Sequence, residues 1–353
     1  MQKQVFEGYV EYLQIMDEEG NIDEKLMPAE LSDEKIIDMY KYMLFARNLD
    51  AKTLSLQRQG RVYTFAPLLG EEATQIGVAF AMKKDDILVP SFRQHGIFLA
   101  RGLPLASHFI YWKGYEEGNI TLKGINSTPF AVPVSTQMPH AAGIAFGQKY
   151  QGKNASVVAY IGDGGTSEGD FYESINFAGV YKLSLVTIIE NNQWAISMPR
   201  SGQTAAQTLA QKAVAAGIDC IQVDGNDVIA VYKAASDAIK SRNPALIECV
   251  TYRLGMHTTS DDPTKYRTDE EVKKWERKDP IKRVKAYLEK KNLWNDKLES
   301  DEIQSQMDRI NKAVEEAESF KPDPVSMFKN VYSFMPEIIS EEMESAVGAN
   351  FWL

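Results

Sequence analysis

The feature that most constrains the fold of this chain is an alternation of short apolar strands with helical stretches. From Ser32 to about residue 253 the apolar runs are short and rich in β-branched residues, and helix-forming sequence separates several of them. Strands that alternate with helices in this way form a parallel sheet with helices on both faces. The sequence therefore predicts an α/β fold with a mainly parallel sheet. Its clearest strands are 87–91, 157–162, 185–190, 220–224 and 245–252.

One domain with an arm at each end is the predicted organisation. The length of 353 residues allows one large domain or two ordinary ones. Residues 1–30 mix charge and glycine, and we expect them to form an N-terminal arm that wraps a neighbour or frays. Ser32 is a candidate N-cap followed by acidic residues, so the domain of residues 31–320 should open with a helix. Two prolines then break the helical pattern, and residues 321–353 are expected to form a C-terminal arm.

Composition and charge exclude several classes of function. Lys and Arg total 39 against 49 Asp and Glu, and the net charge of -10 includes no long basic stretch, which argues against nucleic acid or an anionic membrane as the main partner. The two cysteines form no CxxC and histidines number only four, which argues against a disulfide framework or a cysteine-rich zinc site. No apolar run approaches the roughly 18 residues of a membrane span, and the acidic N-terminus does not resemble a targeting peptide. These features predict a cytoplasmic protein.

Two polar motifs lie where consecutive strands are predicted to end. Strand 157–161 runs into Gly162-Asp-Gly-Gly165, a helix follows, and the next strand ends in Asn191-Asn192. In a right-handed strand–helix–strand unit both strands run the same way, so Asp163 and Asn192 would emerge at the carboxyl edge of the sheet. Glycines let phosphate groups approach the backbone, a helix N-terminus supplies donors, and oxygen ligands suit Mg²⁺. The pattern predicts a site for a diphosphate and a magnesium ion.

The spacing of the two motifs favours one cofactor. From Asp163 to Asn192 is 192 − 163 = 29 residues, and Gly-Asp-Gly followed at this distance by two asparagines resembles the fingerprint of thiamine diphosphate enzymes. Taken alone, Gly-Asp-Gly-Gly is also a common turn after a strand. A dinucleotide fold would need Gly-x-Gly-x-x-Gly and an acidic residue about 20 positions later, and that pattern is absent.

Further motifs in the right order extend the similarity to roughly residues 35–336. The chain resembles the α subunit of the E1 component of 2-oxo acid dehydrogenases, of the branched-chain or pyruvate type. The resemblance implies that residues 31–320 form a thiamine diphosphate-binding fold that holds the diphosphate. The stretches that carry it are Arg58–Arg61, Gly70–Ala73, Phe92–Gly96, Thr136–Pro139, Gly162–Gly165, Asn191-Asn192, Val223–Asp227, Tyr252–His257, Asp261–Pro263 and Tyr266-Arg267.

The resemblance implies which residues hold the cofactor and its metal ion. Asp163, Asn192 and the main-chain carbonyl of Trp194 match the magnesium ligands of the family. Arg93 matches the arginine that grips the diphosphate. Val134 falls where a main-chain group meets the aminopyrimidine ring, and a core valine is the alternative interpretation. The other matching cofactor positions are Phe92, Gly162, Gly164, Gly165 and His257.

Two positions depart from the family pattern. Phe92 replaces the usual Tyr, and Glu190 stands where an Arg commonly precedes the asparagines of branched-chain subunits. One hydroxyl contact and one cationic contact to phosphate are therefore expected to be missing. In some relatives Thr136 and Gln137 help to bind a structural K⁺ ion, and a buried turn is the alternative at these positions.

His257 is the candidate for side-chain chemistry among the four histidines. It follows a strand end, precedes a polar loop, and matches the family histidine beside the cofactor and the substrate. A neutral imidazole there could donate or accept a proton, and a structural histidine is the alternative. His140 is a weaker candidate. His95 and His108 are interpreted as surface or packing residues.

The resemblance also implies the reaction and its partners. A 2-oxo acid would be decarboxylated, and its acyl group would pass to the lipoyl group of a separate E2 acyltransferase. The polar loop 258–268 would close over the cavity mouth and receive the lipoyl domain. An E1 β subunit is expected in an α₂β₂ heterotetramer, because in this enzyme class the glutamate facing the aminopyrimidine ring sits on a second α/β domain.

Two motifs favour a branched-chain substrate. Gly70-Glu-Glu72 and the loop Thr258–Asp262 look more like the branched-chain subunits, and Phe65, Leu68 and Leu69 are expected to line an apolar pocket. A pyruvate or acetoin dehydrogenase α subunit is the alternative within the class. Outside it, the alternative is a non-catalytic phosphate-binding protein.

Overall fold

The structure is a computed structural model, and it describes residues 1–120, 124–323, 325–329 and 331–348. Residues 349–353, the end of the predicted C-terminal arm, lie outside the described residues, as does Pro324, the second of the two prolines at the start of that arm.

The central element is a six-stranded sheet in which every neighbouring pair of strands is parallel. The spatial order is β1-β7-β8-β4-β3-β2, and β5 and β6 form a separate antiparallel pair. All five predicted strands are present, so the predicted parallel sheet is confirmed. The strands are β1 (Tyr12–Leu13), β2 (Ile87–Val89), β3 (Val157–Gly162), β4 (Leu185–Asn191), β5 (Trp194–Ala195), β6 (Met198–Pro199), β7 (Asp219–Asp224) and β8 (Ala245–Val250).

Helices surround this sheet. They are α1 (Asp33–Arg58), α2 (Glu72–Ala81), α3 (His95–Ala100), α4 (Leu105–Trp112), α5 (Glu117–Ile120), α6 (Gln137–Tyr150), α7 (Gly169–Tyr181), α8 (Arg200–Gln203), α9 (Lys212–Ala216), α10 (Val228–Ser241), α11 (Asp269–Glu276), α12 (Pro280–Lys290), α13 (Asp296–Ser319), α14 (Ser326–Lys329) and α15 (Glu337–Gly348). Two 3₁₀ turns span Gly164–Ser167 and Pro263–Lys265.

The sheet is buried on both faces, which explains why its strands read as continuous apolar runs. In β3, Val158 and Tyr160 belong to one core cluster, which includes residues of α1, α2, α10 and α12. The alternate residues Val157, Ala159 and Ile161 belong to a second cluster, which includes residues of α6 and α7. The period of two in the strand therefore divides its side chains between two helix layers.

The first long helix begins where the sequence predicts. Ser32 is the N-cap, and its hydroxyl accepts a hydrogen bond from the main-chain N–H of Lys35 at 3.3 Å. Ile36, Tyr40 and Met43 recur at helical spacing and are fully buried. The N-cap and the apolar stripe together fix the start of α1 and the face that it buries.

The N-terminal segment differs from the expectation that it frays. Tyr12–Leu13 pair in parallel with β7 at the edge of the sheet. The Asp227 carboxylate accepts the main-chain N–H groups of Ile15 and Met16 at 2.6 and 2.7 Å. These long-range bonds hold the segment against the core, and the sequence pattern does not reveal them because the strand has only two residues. The residue limits of the two arms stay predictions.

Across the ranges that the structure describes, no helix is both long enough and apolar enough to cross a membrane.

Candidate active site

A cavity of about 570 Å³ lies at the carboxyl edge of the sheet, beyond the ends of β3 and β4. These strands are neighbours, with Gly162 opposite Glu190, so they bring the predicted oxygen ligands to one edge. Every residue predicted to bind the cofactor or its metal lines this cavity, although the roles assigned to them stay predictions. These residues are Phe92, Arg93, Val134, Gly162, Asp163, Gly164, Gly165, Asn192, Trp194 and His257.

The turn after β3 has room only for glycine. A Cβ atom at Gly165 would lie 2.7 Å from Cγ1 of Ile161 and 3.3 Å from Cγ1 of Val134. A Cβ atom at Gly164 would lie 2.6 Å from the Cβ of Ala195. Side chains at either position would collide with their neighbours and fill the approach to the backbone. The turn therefore forms a cradle whose main chain faces the cavity.

The predicted metal ligands are buried oxygen donors. Asp163 is 2% exposed, one of its carboxylate oxygens accepts a bond from Nε2 of Gln203 at 2.9 Å, and burial raises the pKa of its carboxyl. The Asn192 amide donates from Nδ2 to Glu71 at 3.0 Å, while its Oδ1 accepts the main-chain N–H of Trp194 at 3.3 Å. The carbonyl of Trp194 accepts a bond from Arg253 at 3.0 Å.

This donor set fits Mg²⁺. A carboxylate, an amide oxygen and a main-chain carbonyl are the hard oxygen ligands that this ion prefers, and a cation would favour the charged form of the buried Asp163. In the part of the chain that the structure describes, no group of three or more His, Cys, Asp or Glu side chains forms a metal cluster. A metal ion here would therefore depend on the amide and the carbonyl as well as on the single carboxylate.

Two arginines fix the protonation state of His257. Nη2 of Arg93 lies 3.2 Å from Nδ1 of His257, and Nη1 of Arg253 lies 3.3 Å from the same atom. Guanidinium groups only donate, so Nδ1 must accept and the ring proton is assigned to Nε2. Burial, with the charges of the two arginines, lowers the pKa of His257 to about 3. His257 is therefore neutral at pH 7 and presents an N–H donor at Nε2.

A pair of buried glutamates forms another wall of the cavity. Glu71 lies between Asn192 and Arg93, whose Nε is 3.7 Å from its Oε1, and Glu190 accepts bonds from Thr74 and Gln94 at 2.5 and 2.6 Å. Burial raises the pKa of both carboxyls, and the nearby Glu190 charge raises that of Glu71 further. At the position where branched-chain subunits carry a cation, this chain thus carries an acidic side chain engaged with its own neighbours.

Several cavity-wall atoms are buried and have no hydrogen-bond partner within the described ranges. Buried polar groups are normally paired, so such a concentration marks a surface that is completed by a ligand or by water. The atoms are Oε2 of Glu71, Oε1 of Gln94, Nε1 of Trp112, Oγ of Ser135, Oε1 of Gln137 and Nε of Arg253.

The polar loop after β8 lies at the mouth of the cavity, and Thr258 lines it. The Asp261 carboxylate accepts the main-chain N–H of His257 at 2.8 Å and the hydroxyl of Tyr266 at 2.5 Å. The main-chain N–H of Thr259 donates to the carbonyl of Phe65 at 2.9 Å. These bonds fold the loop back on itself and connect it to the segment around Phe65.

The other histidines lie away from the cavity lining. His140 is exposed, whereas His95 and His108 are buried. Nε2 of His95 is 3.1 Å from the carbonyl of Ala66, and Nε2 of His108 is 2.9 Å from the hydroxyl of Thr53. The packing interpretation therefore fits His95 and His108, and burial lowers the pKa of both rings.

The prediction of which residues line an apolar pocket is wrong. Phe65, Leu68 and Leu69 do not line the cavity, because Phe65 packs edge-on against Trp112 and Leu68 belongs to a buried core cluster. Of the two residues considered for K⁺, Gln137 lines the cavity and Thr136 does not.

Sequence reasoning missed several residues that shape the cavity. Glu71 and Arg253 lay inside motifs that carried the family resemblance, but neither had an assigned role. Two adjacent acids before an apolar helix and an arginine three residues after β8 were the available signals. Gln94, Trp112 and Ser135 gave no comparable signal, because their approach to the cavity depends on how distant segments pack.

A parallel sheet with a glycine cradle and oxygen donors at its carboxyl edge is typical of α/β proteins that bind a phosphate-bearing ligand. The family model "Dehydrogenase E1 component" matches residues 40–326. The pyruvate dehydrogenase E1 component subunit alpha of Staphylococcus aureus (strain Mu50) is 43% identical over 340 residues, covering 95% of this chain and 92% of that protein. The protein of the same name from Staphylococcus epidermidis is 42% identical with the same coverage. The chain therefore belongs to the E1 α family of 2-oxo acid dehydrogenases.

Membership confirms the predicted family and enzyme class. The E1 family generally uses thiamine diphosphate, and its α subunits work with an E1 β subunit and E2 in a complex. The branched-chain preference gains no support, because both relatives are named pyruvate dehydrogenase subunits. The comparison favours the alternative substrate, pyruvate.

Proposed function

We propose that this chain is the α subunit of a pyruvate dehydrogenase E1 component, which decarboxylates pyruvate and passes the acetyl group to a lipoyl group on an E2 acyltransferase. The observation that carries the proposal is the 43% identity to a pyruvate dehydrogenase α subunit over 95% of the chain. The cavity supports it independently, because the glycine cradle, the arginine and the oxygen donors meet at one sheet edge.

When bound, thiamine diphosphate supplies a nucleophilic carbon and an electron sink for the loss of CO₂. The main chain of the Gly162–Gly165 turn and the Arg93 guanidinium would hold its diphosphate. Asp163, Asn192 and the Trp194 carbonyl would hold the Mg²⁺ ion.

His257 acts as a hydrogen-bond donor in this proposal. Its Nδ1 is occupied by Arg93 and Arg253, so only Nε2–H is available to an oxygen atom of the substrate. A fixed donor stabilises negative charge that develops on that oxygen, and it needs no reorganisation at the moment of reaction. The depressed pKa means that the ring does not compete for a proton at neutral pH.

The substrate is tested with a panel of 2-oxo acids, an artificial electron acceptor and the β subunit present. We expect the specificity constant for pyruvate to exceed that for each branched-chain acid. One methylene group is worth only about 1–3 kcal/mol in an apolar pocket, so some branched-chain activity is expected as well. A higher specificity constant for any branched-chain acid would return the assignment to the branched-chain enzymes.

The partner is part of the same proposal. We infer an α₂β₂ heterotetramer in which the diphosphate lies on this chain and the aminopyrimidine ring faces a glutamate of the β subunit. The purified chain should show no decarboxylation with thiamine diphosphate, Mg²⁺ and any 2-oxo acid, and adding the β subunit should restore it. Robust turnover by the isolated chain would contradict this arrangement.

A further inference from the structure

Lys212 is a buried cation that the proposed mechanism does not use. It is the first residue of α9 and is 6% exposed. No carboxylate oxygen within the described ranges lies within 4.0 Å of its Nζ. Lysines are almost never buried without a partner of opposite charge, because an unpaired ammonium is costly to remove from water. The position of this charge therefore needs an explanation.

The contacts of Lys212 lead to the glycine turn. Its Nζ donates to the main-chain carbonyl of Thr166 at 2.7 Å and to the hydroxyl of the same residue at 3.0 Å. That hydroxyl in turn donates to the carbonyl of Asp163 at 2.7 Å. Because an ammonium group can only donate, the direction of this chain of bonds is fixed. Lys212 thus holds Thr166, and Thr166 holds the backbone of the predicted metal ligand.

The surroundings keep the ammonium in place. Nζ lies 5.9 Å from the centre of the Phe171 ring and 5.2 Å from that of Tyr172, both in the first turn of α7. Two residues before Lys212, the main-chain N–H of Ala210 donates to the buried Glu248 carboxylate at 2.9 Å. The long side chain therefore starts from a fixed backbone and ends between two rings and the turn.

We propose that Lys212 is a positioning residue for the diphosphate. It holds the turn of residues 163–167 in the conformation that admits phosphate at the glycines, and it supplies a positive charge whose balancing anion is the bound diphosphate. The inference rests on the proposed function only in taking the anion to be a diphosphate. A purely structural lysine would stabilise the turn without changing affinity for an anion, and this difference can be measured.

The test is calorimetric titration of the complex with the β subunit, using two probes, inorganic diphosphate and thiamine diphosphate, each with Mg²⁺. We expect Lys212→Met to weaken binding of both probes by about 10- to 100-fold, the range for one hydrogen bond from a charged group. Lys212→Gln keeps a hydrogen-bond donor but removes the charge, so its affinity for both probes should lie between those of the wild type and Lys212→Met. Lys212→Arg should restore most of the affinity. The control is Lys233→Met, which removes a partly exposed lysine paired with Asp237 on α10.

A kinetic readout separates positioning from general damage. In the complex with the β subunit, Lys212→Met should raise the KM for thiamine diphosphate and leave kcat at saturating cofactor unchanged. If Lys212→Met does not fold, Thr166→Val carries the test, because it removes the hydroxyl that links the ammonium to Asp163. This variant should also bind inorganic diphosphate more weakly than the wild type.

The outcomes distinguish the two proposals. If the wild-type complex binds neither probe, the proposed function fails and this inference fails with it. If the wild type binds but Lys212→Met, or Thr166→Val in its place, binds with equal affinity, only the role of Lys212 is overturned. An equal loss of affinity in Lys212→Arg and Lys212→Met would also overturn the role of Lys212, since a requirement for positive charge predicts that arginine restores binding.

Discussion

Two buried charged clusters, at the carboxyl ends of β7 and β3, differ in whether their unpaired polar atoms line a cavity. In the anchor cluster, which comprises Asp224, Asp227 and Arg283, each oxygen of Asp227 accepts two main-chain N–H groups. Arg283 is 0% exposed and donates to Asp224 at 2.9 Å. Within the described residues, Nε of Arg283 has no hydrogen-bond partner and lies away from the cavity lining. In the cavity cluster, which comprises Glu71, Arg93, Asp163, Arg253 and His257, Oε2 of Glu71 and Nε of Arg253 also have no partner, and both residues line the cavity.

We infer that the charges of the anchor cluster stabilise the fold, whereas those of the cavity cluster would contact a ligand. The anchor cluster joins the N-terminal segment to α10 and α12, and its main interactions are formed within the chain. In the cavity cluster, burial raises the pKa values of Glu71 and Asp163, and burial with the charges of Arg93 and Arg253 lowers that of His257. Perturbed groups around a cavity are typical of functional sites. Substitutions in the two clusters should therefore have opposite effects on stability and on binding.

Arg283→Met should give the largest loss of stability. It leaves the Asp224 carboxylate buried without its partner, and breaking a buried pair in this way costs about 3–5 kcal/mol. The measurement is the free energy of unfolding in urea. The exposed Arg277→Met is the matched control and should change stability by less than about 0.5 kcal/mol. A loss no larger than that of the control would show that the anchor cluster does not stabilise the fold.

Asp163→Asn should have the opposite effect to Arg283→Met, with stability retained and binding lost. The folded state disfavours the charged Asp163, so the neutral amide should leave the free energy of unfolding unchanged or raise it. Metal-dependent binding should fall by more than the roughly 10- to 100-fold that outer-shell changes cost at metal sites. The measurement is the thermal shift produced by thiamine diphosphate with Mg²⁺, and the exposed Asp237→Asn is the control. An undiminished shift would refute the metal assignment.

Gly165→Ala should combine a moderate loss of stability with loss of binding. The new methyl group would contact Ile161 at 2.7 Å, and overpacking of this kind costs about 1–3 kcal/mol. Gly143→Ala in α6 is the control, because its Cβ meets no atom within 4 Å and alanine favours a helix by about 1 kcal/mol. Both are measured by urea unfolding and by titration with inorganic diphosphate. Retained diphosphate affinity in Gly165→Ala would argue against the cradle.

His257→Gln should have the smallest effect on stability, visible in how the free energy of unfolding depends on pH. The folded-state pKa of His257 is about 3 and the ordinary value is 6.5, so between these values the unfolded chain binds a proton that the folded chain does not. The free energy of unfolding of the wild type should therefore fall as the pH is lowered from about 6.5 towards 3. The same free energy should fall less in His257→Gln over this pH range. Parallel curves of unfolding free energy against pH would contradict the assigned protonation state.

Much of the fold could be predicted from the sequence because local patterns specify it. The five core strands are β-branched apolar runs, and Ser32 marks the start of α1. The two-residue strand β1 could not be predicted, since it depends on bonds from Ile15 and Met16 to Asp227, more than 200 positions away.

The candidate site was predictable in part for the same reason. Asp163 and Asn192 follow directly from parallel strands whose ends meet at one edge. Glu71, Trp112 and Arg253 reach the cavity from segments whose approach depends on tertiary packing, and Phe65 faces the core although its chemistry suits a pocket. Apolar character alone does not distinguish a core side chain from a pocket lining.

The central claim is that the cavity binds thiamine diphosphate through a magnesium ion. Calorimetric titration of the wild-type complex with the β subunit tests it most directly, with thiamine diphosphate, NAD and ATP as ligands, each with and without Mg²⁺. The account predicts saturable binding of thiamine diphosphate that requires Mg²⁺ and is tighter than binding of either nucleotide. Equal affinity in the absence of Mg²⁺, or tighter binding of NAD or ATP, would contradict it.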